Sequence, residues 1–132
     1  MDSILISIKK MLGISKEYDA FDAVLIMHIN TVFMNLSQLG VGPNEGFSII
    51  DEADKWSDFI SEDPRLESIK SYVYLKVKLL FDPPMNSSVM NSISLQIKEL
   101  ECRLNVESES VDKNYVNLND RIIRILGGDD DV

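Results

Sequence analysis

The sequence ESIKSYVYLKVKLLFDPP, residues 67–84, decides the fold. Its apolar residues recur at the spacing of an α-helix, and the two prolines after Asp82 end the run because proline breaks a helix. The pattern predicts a helix from about Pro64 to Phe81. Its apolar positions form two roughly opposite stripes, namely Leu66, Ile69, Val73, Val77 and Leu80 on one side and Tyr72, Leu75 and Leu79 on the other.

Two apolar stripes on one helix require cover on two sides, since a surface helix of a monomer shows one apolar stripe. Either this helix lies at the centre of a bundle and its own chain covers both sides, or a neighbouring subunit covers one of them. A second apolar side on the preceding helix also favours a subunit interface, because large apolar patches are rarely left uncovered. The predicted interface residues are Met27, Met34, Tyr72, Leu75 and Leu79.

Three further helices are predicted from the same periodicity. The first covers about 3–12, with Ser3 as its N-cap and Gly13 at its end. The second covers about 19–39, and the last covers about 87–105. An irregular insert separates the second helix from the third. The predicted fold class is therefore mainly α, a small four-helix bundle with an irregular or short β insert.

The insert, residues 41–63, is acidic and breaks the helical pattern. Its glycines and proline predict turns. FSII (47–50) is typical of a short strand, and WSDFI (56–60) fits either a strand or one helical turn. The carboxylates do not follow the spacing of a calcium-binding loop, so a solvated loop is favoured over a metal site. Trp56 either fixes the insert to the body or stands exposed as an anchor for a partner.

The length of 132 residues fits one domain. Residues 1–106 are predicted to form this domain, and 107–132 an extended C-terminal arm, because the sequence becomes polar after the last helix. One apolar segment within the arm, RIIRIL (121–126), either binds a partner or packs back on its own domain. The candidate residues of the arm are Tyr115, Val116, Leu118, Arg121, Ile122, Ile123, Arg124, Ile125 and Leu126.

Composition argues against several classes of function. With 13 basic and 22 acidic residues and a net charge of −9, the chain is poorly suited to gripping nucleic acid, which requires lysine and arginine. A single cysteine, Cys102, and a single histidine, His28, cannot make a disulfide or an ordinary zinc site. The sequence contains neither a glycine-rich phosphate-binding loop nor the G-x-S-x-G motif of serine hydrolases. We expect no catalytic residue, metal, cofactor or membrane span, and the N-terminus, unlike a signal peptide, predicts a cytoplasmic product.

Several segments resemble, in order, a family of phage proteins. These segments are SIKKMLGI, FDAVLIMHINTVFMNLSQLGVGP, GFSI, WSDFI, LESIKSYVYLKVKLLFDPP and QIKELECRLNV. Together they are similar to the head–tail connector (adaptor) proteins of tailed phages and prophages. The resemblance covers about residues 2–106. Its most specific part is the LLFDPP stop followed by the helix that contains ELECRLNV.

The resemblance implies a structural protein of the virion neck that is assembled in the host cytoplasm. Such proteins form a ring, commonly a dodecamer, beneath the portal protein. The ring extends the DNA channel and docks a stopper or tail-completion protein, while double-stranded DNA passes without specific binding. The arm is expected to bind the portal, so deleting 107–132 should abolish portal binding and leave the fold intact. The insert residues expected to line the channel or face the next ring are Glu45, Asp51, Glu52, Asp54, Trp56 and Asp58.

Three other functions compete with this interpretation. The chain could be another ring component, a stopper or tail-completion protein, but those are typically rich in β-structure. A small helical DNA-binding regulator would need a basic recognition helix, whereas the lysines at 70, 76 and 78 are scattered over several faces. A metal-dependent hydrolase would have to use the acidic insert.

Overall fold

The computed structural model describes residues 3–61 and 63–116, with side chains as far as Asn105. Within these residues the chain is mainly helical, which confirms the predicted fold class. The helices are α1 (Ile4–Leu12), α2 (Asp22–Gln38), α3 (Trp56–Phe59), α4 (Leu66–Phe81) and α5 (Ser87–Val116). None of these described helices is both long enough and apolar enough to cross a membrane.

The first helix begins and ends where the sequence predicts. The hydroxyl of Ser3 accepts a hydrogen bond from the backbone N–H of Ile6 at 3.3 Å, which satisfies one of the free donors of the first turn. Gly13 ends the helix in the left-handed conformation, with φ of 82°, which glycine adopts without a steric penalty. Ile4, Leu5 and Ile8 are buried on one face.

The second helix begins later than predicted, at Asp22 rather than Asp19. The preceding loop is held by the ammonium of Lys9, which donates to the carbonyls of Lys16 (3.1 Å) and Tyr18 (2.7 Å). Both carbonyls face the buried ammonium of Lys9. The loop therefore bends around this ammonium, and α2 starts only after it.

The last two helices also differ from prediction at one end. The carboxylate of Asp63 accepts a hydrogen bond from the backbone N–H of Arg65 at 2.7 Å, and this turn delays the start of α4 to Leu66. The fifth helix continues past Asn105 to Val116, so the backbone at the start of the predicted arm is helical. Residues 117–132, with the rest of the arm, lie outside the described residues.

The core is organised around α4, which contacts α1, α2 and α5, while α1 also contacts α2. The chain itself covers most of both apolar stripes of α4, although Leu80 is 47% exposed. Ile69, Tyr72, Val73 and Val77 are buried, and Leu75 and Leu79 pack against the core as half-buried side chains. The structure therefore supports the interpretation that α4 is the central helix of the bundle.

The predicted short β insert is not seen in residues 41–61, where pairing is confined to one isolated bridge between Lys55 and Ser3. The side-chain amide of Asn30 takes the place of a partner strand. It donates to the carbonyl of Ile49 at 3.0 Å and accepts from the N–H of the same residue at 2.7 Å. The segment predicted as a strand or a helical turn forms the helical turn α3.

Candidate functional site

The outer face of α2 is unusual for a protein of this composition. Its exposed residues recur at helical spacing and carry no charge, and we call them the α2 face: Ala23, Met27, Thr31 and Met34. Met27 is 58% exposed and Met34 63% exposed. No Asp, Glu, Lys or Arg occurs between Asp22 and Glu45. An exposed helix face that lacks charge and carries large apolar side chains is typical of a surface that binds a protein.

The start of α5 and the turn before it form a second uncharged surface. Its exposed residues, here called the α5 face, are Met85, Val89, Asn91, Ser92, Ser94 and Leu95. Leu95 is 68% exposed, and Met85 is fully exposed. No charged side chain occurs between Asp82 and Lys98, although Lys76, Lys98 and Glu101 line the same pocket as Asn91, Ser94 and Leu95 and so border this face.

The two faces lie on different helices, both of which pack on α4. Tyr72, from one stripe of α4, bonds to Glu101 of α5. At the end of α4, Phe81 packs edge-on against Phe21, directly before α2, at 5.1 Å between ring centroids.

The interface residues predicted from the sequence fall into three groups. Met27 and Met34 are exposed, and Leu75 and Leu79 are half-buried between α4 and its neighbours. Tyr72 is fully buried within its own chain, because its ring fills the space between α4 and α5. It has no surface to offer a neighbouring subunit, so only the two methionines stand fully available for such a contact.

Tyr72 instead joins two helices of the same chain. Its hydroxyl donates to Glu101 at 2.8 Å, and the ammonium of Lys76 lies 3.9 Å from the same carboxylate oxygen and 5.8 Å from the centre of the Tyr72 ring. Burial, and then the hydrogen bond to Glu101, raise the pKa of Tyr72 above its ordinary value. The neutral phenol is therefore the form that the folded protein stabilises.

Replacing Tyr72 with phenylalanine should reduce the alkaline loss of stability. Because the pKa of Tyr72 is raised on folding, its contribution is present below the unfolded tyrosine pKa of about 10 and is lost as pH rises above it. At neutral pH the variant should lose about 1 kcal/mol through the missing hydrogen bond. Urea unfolding at neutral pH and at about one unit above the tyrosine pKa measures both effects. Tyr18→Phe, at a half-exposed ring, is the control, and equal alkaline losses in Tyr72→Phe and wild type would contradict the prediction.

The insert has an ordered turn built by its own acids. Asp54 accepts hydrogen bonds from the N–H groups of Ile50 (2.6 Å) and Asp51 (3.2 Å). Asp51 accepts from Ala53 at 2.8 Å, and Asp58 from Lys55 at 2.9 Å. Three of the predicted channel residues thus shape the loop, while the side chains of Glu45 and Glu52 are exposed.

Trp56, the sixth predicted channel residue, is fully buried. Its indole N–H donates to the hydroxyl of Ser7 at 2.9 Å, which ties α3 to α1. Trp56 therefore fixes the insert to the body of the domain. Its burial excludes the alternative in which it stands exposed as an anchor for a partner. Phe59 lies beside it against Gly42, where a Cβ atom would stand 2.5 Å from the Phe59 ring.

The residues considered for chemistry are not brought together. Cys102 is exposed on α5, and His28 is half-buried on another helix, α2. Among the residues that the structure describes, no three His, Cys, Asp or Glu side chains are grouped as a metal site would require. The lysines of α4 pair with acids of the same chain: Lys70 with Glu67, Lys76 with Glu101 and Lys78 with Asp82.

One comparison with known proteins is informative. A family model described as phage connector protein matches residues 4–111. The match spans α1 to α4 and most of α5, and so includes both uncharged faces. Neither the curated proteins nor the solved structures that were searched gave a match.

Proposed function

The chain belongs to the phage connector protein family, and from this premise we propose that it is a head–tail connector that forms a ring beneath the portal. Membership makes it a structural virion component that interacts with other phage head or tail proteins. The finer role, in which the ring extends the DNA channel at the neck and docks a stopper or tail-completion protein, is our proposal.

The observation that carries the proposal is the pair of exposed, uncharged faces on two different helices of one bundle. A closed ring is built from head-to-tail contacts, so every subunit must present two different patches to its two neighbours. The α2 face and the α5 face are two such patches. A stopper or tail-completion protein is less well supported, because those proteins are typically β-rich and the described part of this chain is helical.

The charge of the chain is compatible with a conduit for DNA. A net charge of −9 repels the phosphate backbone, so DNA is not held on the surface it passes. The exposed carboxylates of Glu45 and Glu52 would contribute to this repulsion if the insert faces the channel. In that arrangement the turn made by Asp51 and Asp54 would fix the position of the insert at the channel wall or against the next ring.

The proposal is tested by measuring the mass of the purified full chain alone and with its own portal. We expect a complex of one portal ring with a complete ring of copies, and native mass spectrometry gives the number of copies directly. A protein that stays monomeric at every concentration, both alone and beside its portal, would overturn the proposed function.

The portal-binding arm can be tested by ending the chain after Val116. This truncation keeps all of α5 and removes residues 117–132, which include most of the predicted portal-binding residues. We expect an unchanged helical circular dichroism spectrum and melting temperature, together with loss of portal capture in a pull-down. Portal capture equal to that of the full chain would refute the assignment of the arm. A truncation after Gly127, which removes only the acidic end, is the matched control and should still bind.

A further inference from the structure

We propose that neighbouring copies meet through the α2 face of one subunit and the α5 face of the next. The inference rests on the proposed ring and names the surfaces that would build it. It assigns the two uncharged faces to each other, rather than to the portal or to a tail protein.

Charge is the first argument for a second copy as the occupant. Each copy carries a net charge of −9, so two copies repel each other overall, and like charges placed face to face are unfavourable. The segments 23–44 and 83–97 contain no charged side chain. Contact between these two segments lets two acidic copies approach with Lys76, Lys98 and Glu101 at the edge of the contact and not at its centre.

Exposed apolar area is the second argument. Met27 and Met34 stand out from α2, and Leu95 and Met85 from the α5 face, at 58%, 63%, 68% and 102% exposure respectively. Removing such side chains from water favours association. Methionine is flexible and fills irregular gaps, while the small side chains at Ala23, Ser92 and Ser94 allow two helices to approach closely.

The placement of the faces argues for the mixed pairing. If two copies met through α2 alone, or through α5 alone, they would form a closed two-fold dimer and leave the other face in water. Pairing α2 with α5 covers both faces with a single kind of contact. This head-to-tail pairing also leaves one free face at each end of a pair, so that more copies can be added.

Disulfide trapping distinguishes these arrangements. In full-length protein with the exposed Cys102 replaced by serine, we would introduce Met34→Cys or Met27→Cys on α2, and Leu95→Cys on α5. Two α2 positions are used because they lie about two helical turns apart and sample two registers. The single variants are oxidised separately, then as α2–α5 mixtures, and the products are separated without reducing agent.

We expect a linked dimer from a mixture of an α2 variant with Leu95→Cys, and a ladder of linked species from the double variant. Single variants oxidised alone should stay largely unlinked. Efficient linkage within a single variant, with none in the mixtures, would show a two-fold contact and overturn the pairing. If native mass spectrometry finds oligomers while no mixture links, the pairing is wrong but the proposed ring survives. If neither oligomers nor links form, alone or with portal, both are wrong.

A charge substitution gives an independent readout. Met34→Lys places an ammonium on the α2 face and should abolish the oligomers at concentrations where the wild type forms them. Ser57→Lys is the matched control, because Ser57 is exposed on α3 and belongs to neither face, and it should leave the oligomers unchanged. Normal assembly by Met34→Lys would overturn the pairing, provided that its melting temperature equals that of the wild type.

Discussion

Replacing Lys9 with methionine is expected to lower the free energy of unfolding by about 3 kcal/mol, although methionine nearly matches the volume of the lysine stem. Lys9 is 1% exposed. Its ammonium lies 2.8 Å from Oδ1 of Asp22 and donates to the carbonyls of Lys16 and Tyr18. Oδ1 of Asp22 is buried and accepts no aligned hydrogen bond from the described residues, so it depends on this cation. The substitution leaves one carboxylate and two carbonyls without their partner.

Urea unfolding of Lys9→Met beside Lys10→Met measures this effect. The neighbouring lysine is exposed, and its replacement should change stability by less than about 0.5 kcal/mol. Asp22→Asn and the double variant Lys9→Met/Asp22→Asn complete a double-mutant cycle, which measures the interaction free energy of the pair. We expect the double variant to lose much less stability than the sum of the two single variants. Equal stabilities of Lys9→Met and Lys10→Met would show that the buried ammonium contributes nothing.

Replacing Trp56 with alanine is expected to lower the free energy of unfolding by about 4 kcal/mol, through lost burial and the cavity left behind. The indole is fully buried, its centroid lies 6.1 Å from that of Phe33, and its N–H bonds to Ser7. The side chain therefore connects the insert to α1 and α2. Its loss should loosen the insert as well as weaken the core.

Ile50→Ala is the control for this prediction, since Ile50 belongs to the same insert but is 81% exposed; it should change stability by less than about 0.5 kcal/mol. Ser7→Ala separates the hydrogen bond from the packing, and should cost about 1–2 kcal/mol because it leaves the indole N–H unpaired. Hydrogen exchange of the backbone amides in the insert is the second measurement. A Trp56→Ala protein as stable as Ile50→Ala, with an equally protected insert, would contradict the role assigned to the tryptophan.

Helix positions were predictable where a local signal determines them. Ser3 and Gly13 bound α1 as their capping preferences require, and the prolines after Asp82 bound α4. The starts of α2 and α4 were predicted too early, because Lys9 and Asp63 hold the preceding turns through contacts that periodicity does not report. The end of α5 was predicted too early, since a helix can continue through a polar sequence that shows no apolar stripe.

The insert was least predictable because polar side chains organise it from a distance in sequence. Asn30 binds the backbone of Ile49, and Ser7 binds the indole of Trp56. In the sequence, Asn30 and Ser7 appear only as polar residues beside buried helix positions. Many ordinary surface residues have the same pattern, so it does not identify the residues that bond to the insert. Lys9, directly after Ile8 in the apolar run of α1, carried a stronger signal, because lysine is rarely fully buried without a partner.

The candidate site was predictable only in part. The methionines of α2 were identified because they lie on a side of the helix away from its main stripe. The opposite stripe of α4 was assigned to a subunit interface, but α5 covers it. Periodicity shows that a face is apolar and cannot show which helix covers it. The α5 face was missed, although the uncharged run 83–97 was visible in the sequence.

The bond between α1 and the insert sets an order of events during synthesis. Helix α1 has nine residues, and a helix of that length is barely stable in water by itself. Its Ile4 N–H donates to the carbonyl of Asp54 at 3.0 Å, and its Ser7 hydroxyl accepts from Trp56. Both partners leave the ribosome long after α1 does, and α4 follows later still. Helix α1 therefore gains its full set of contacts only after the insert and α4 have been synthesised, although it precedes both in the chain, and its apolar face stays partly uncovered until then.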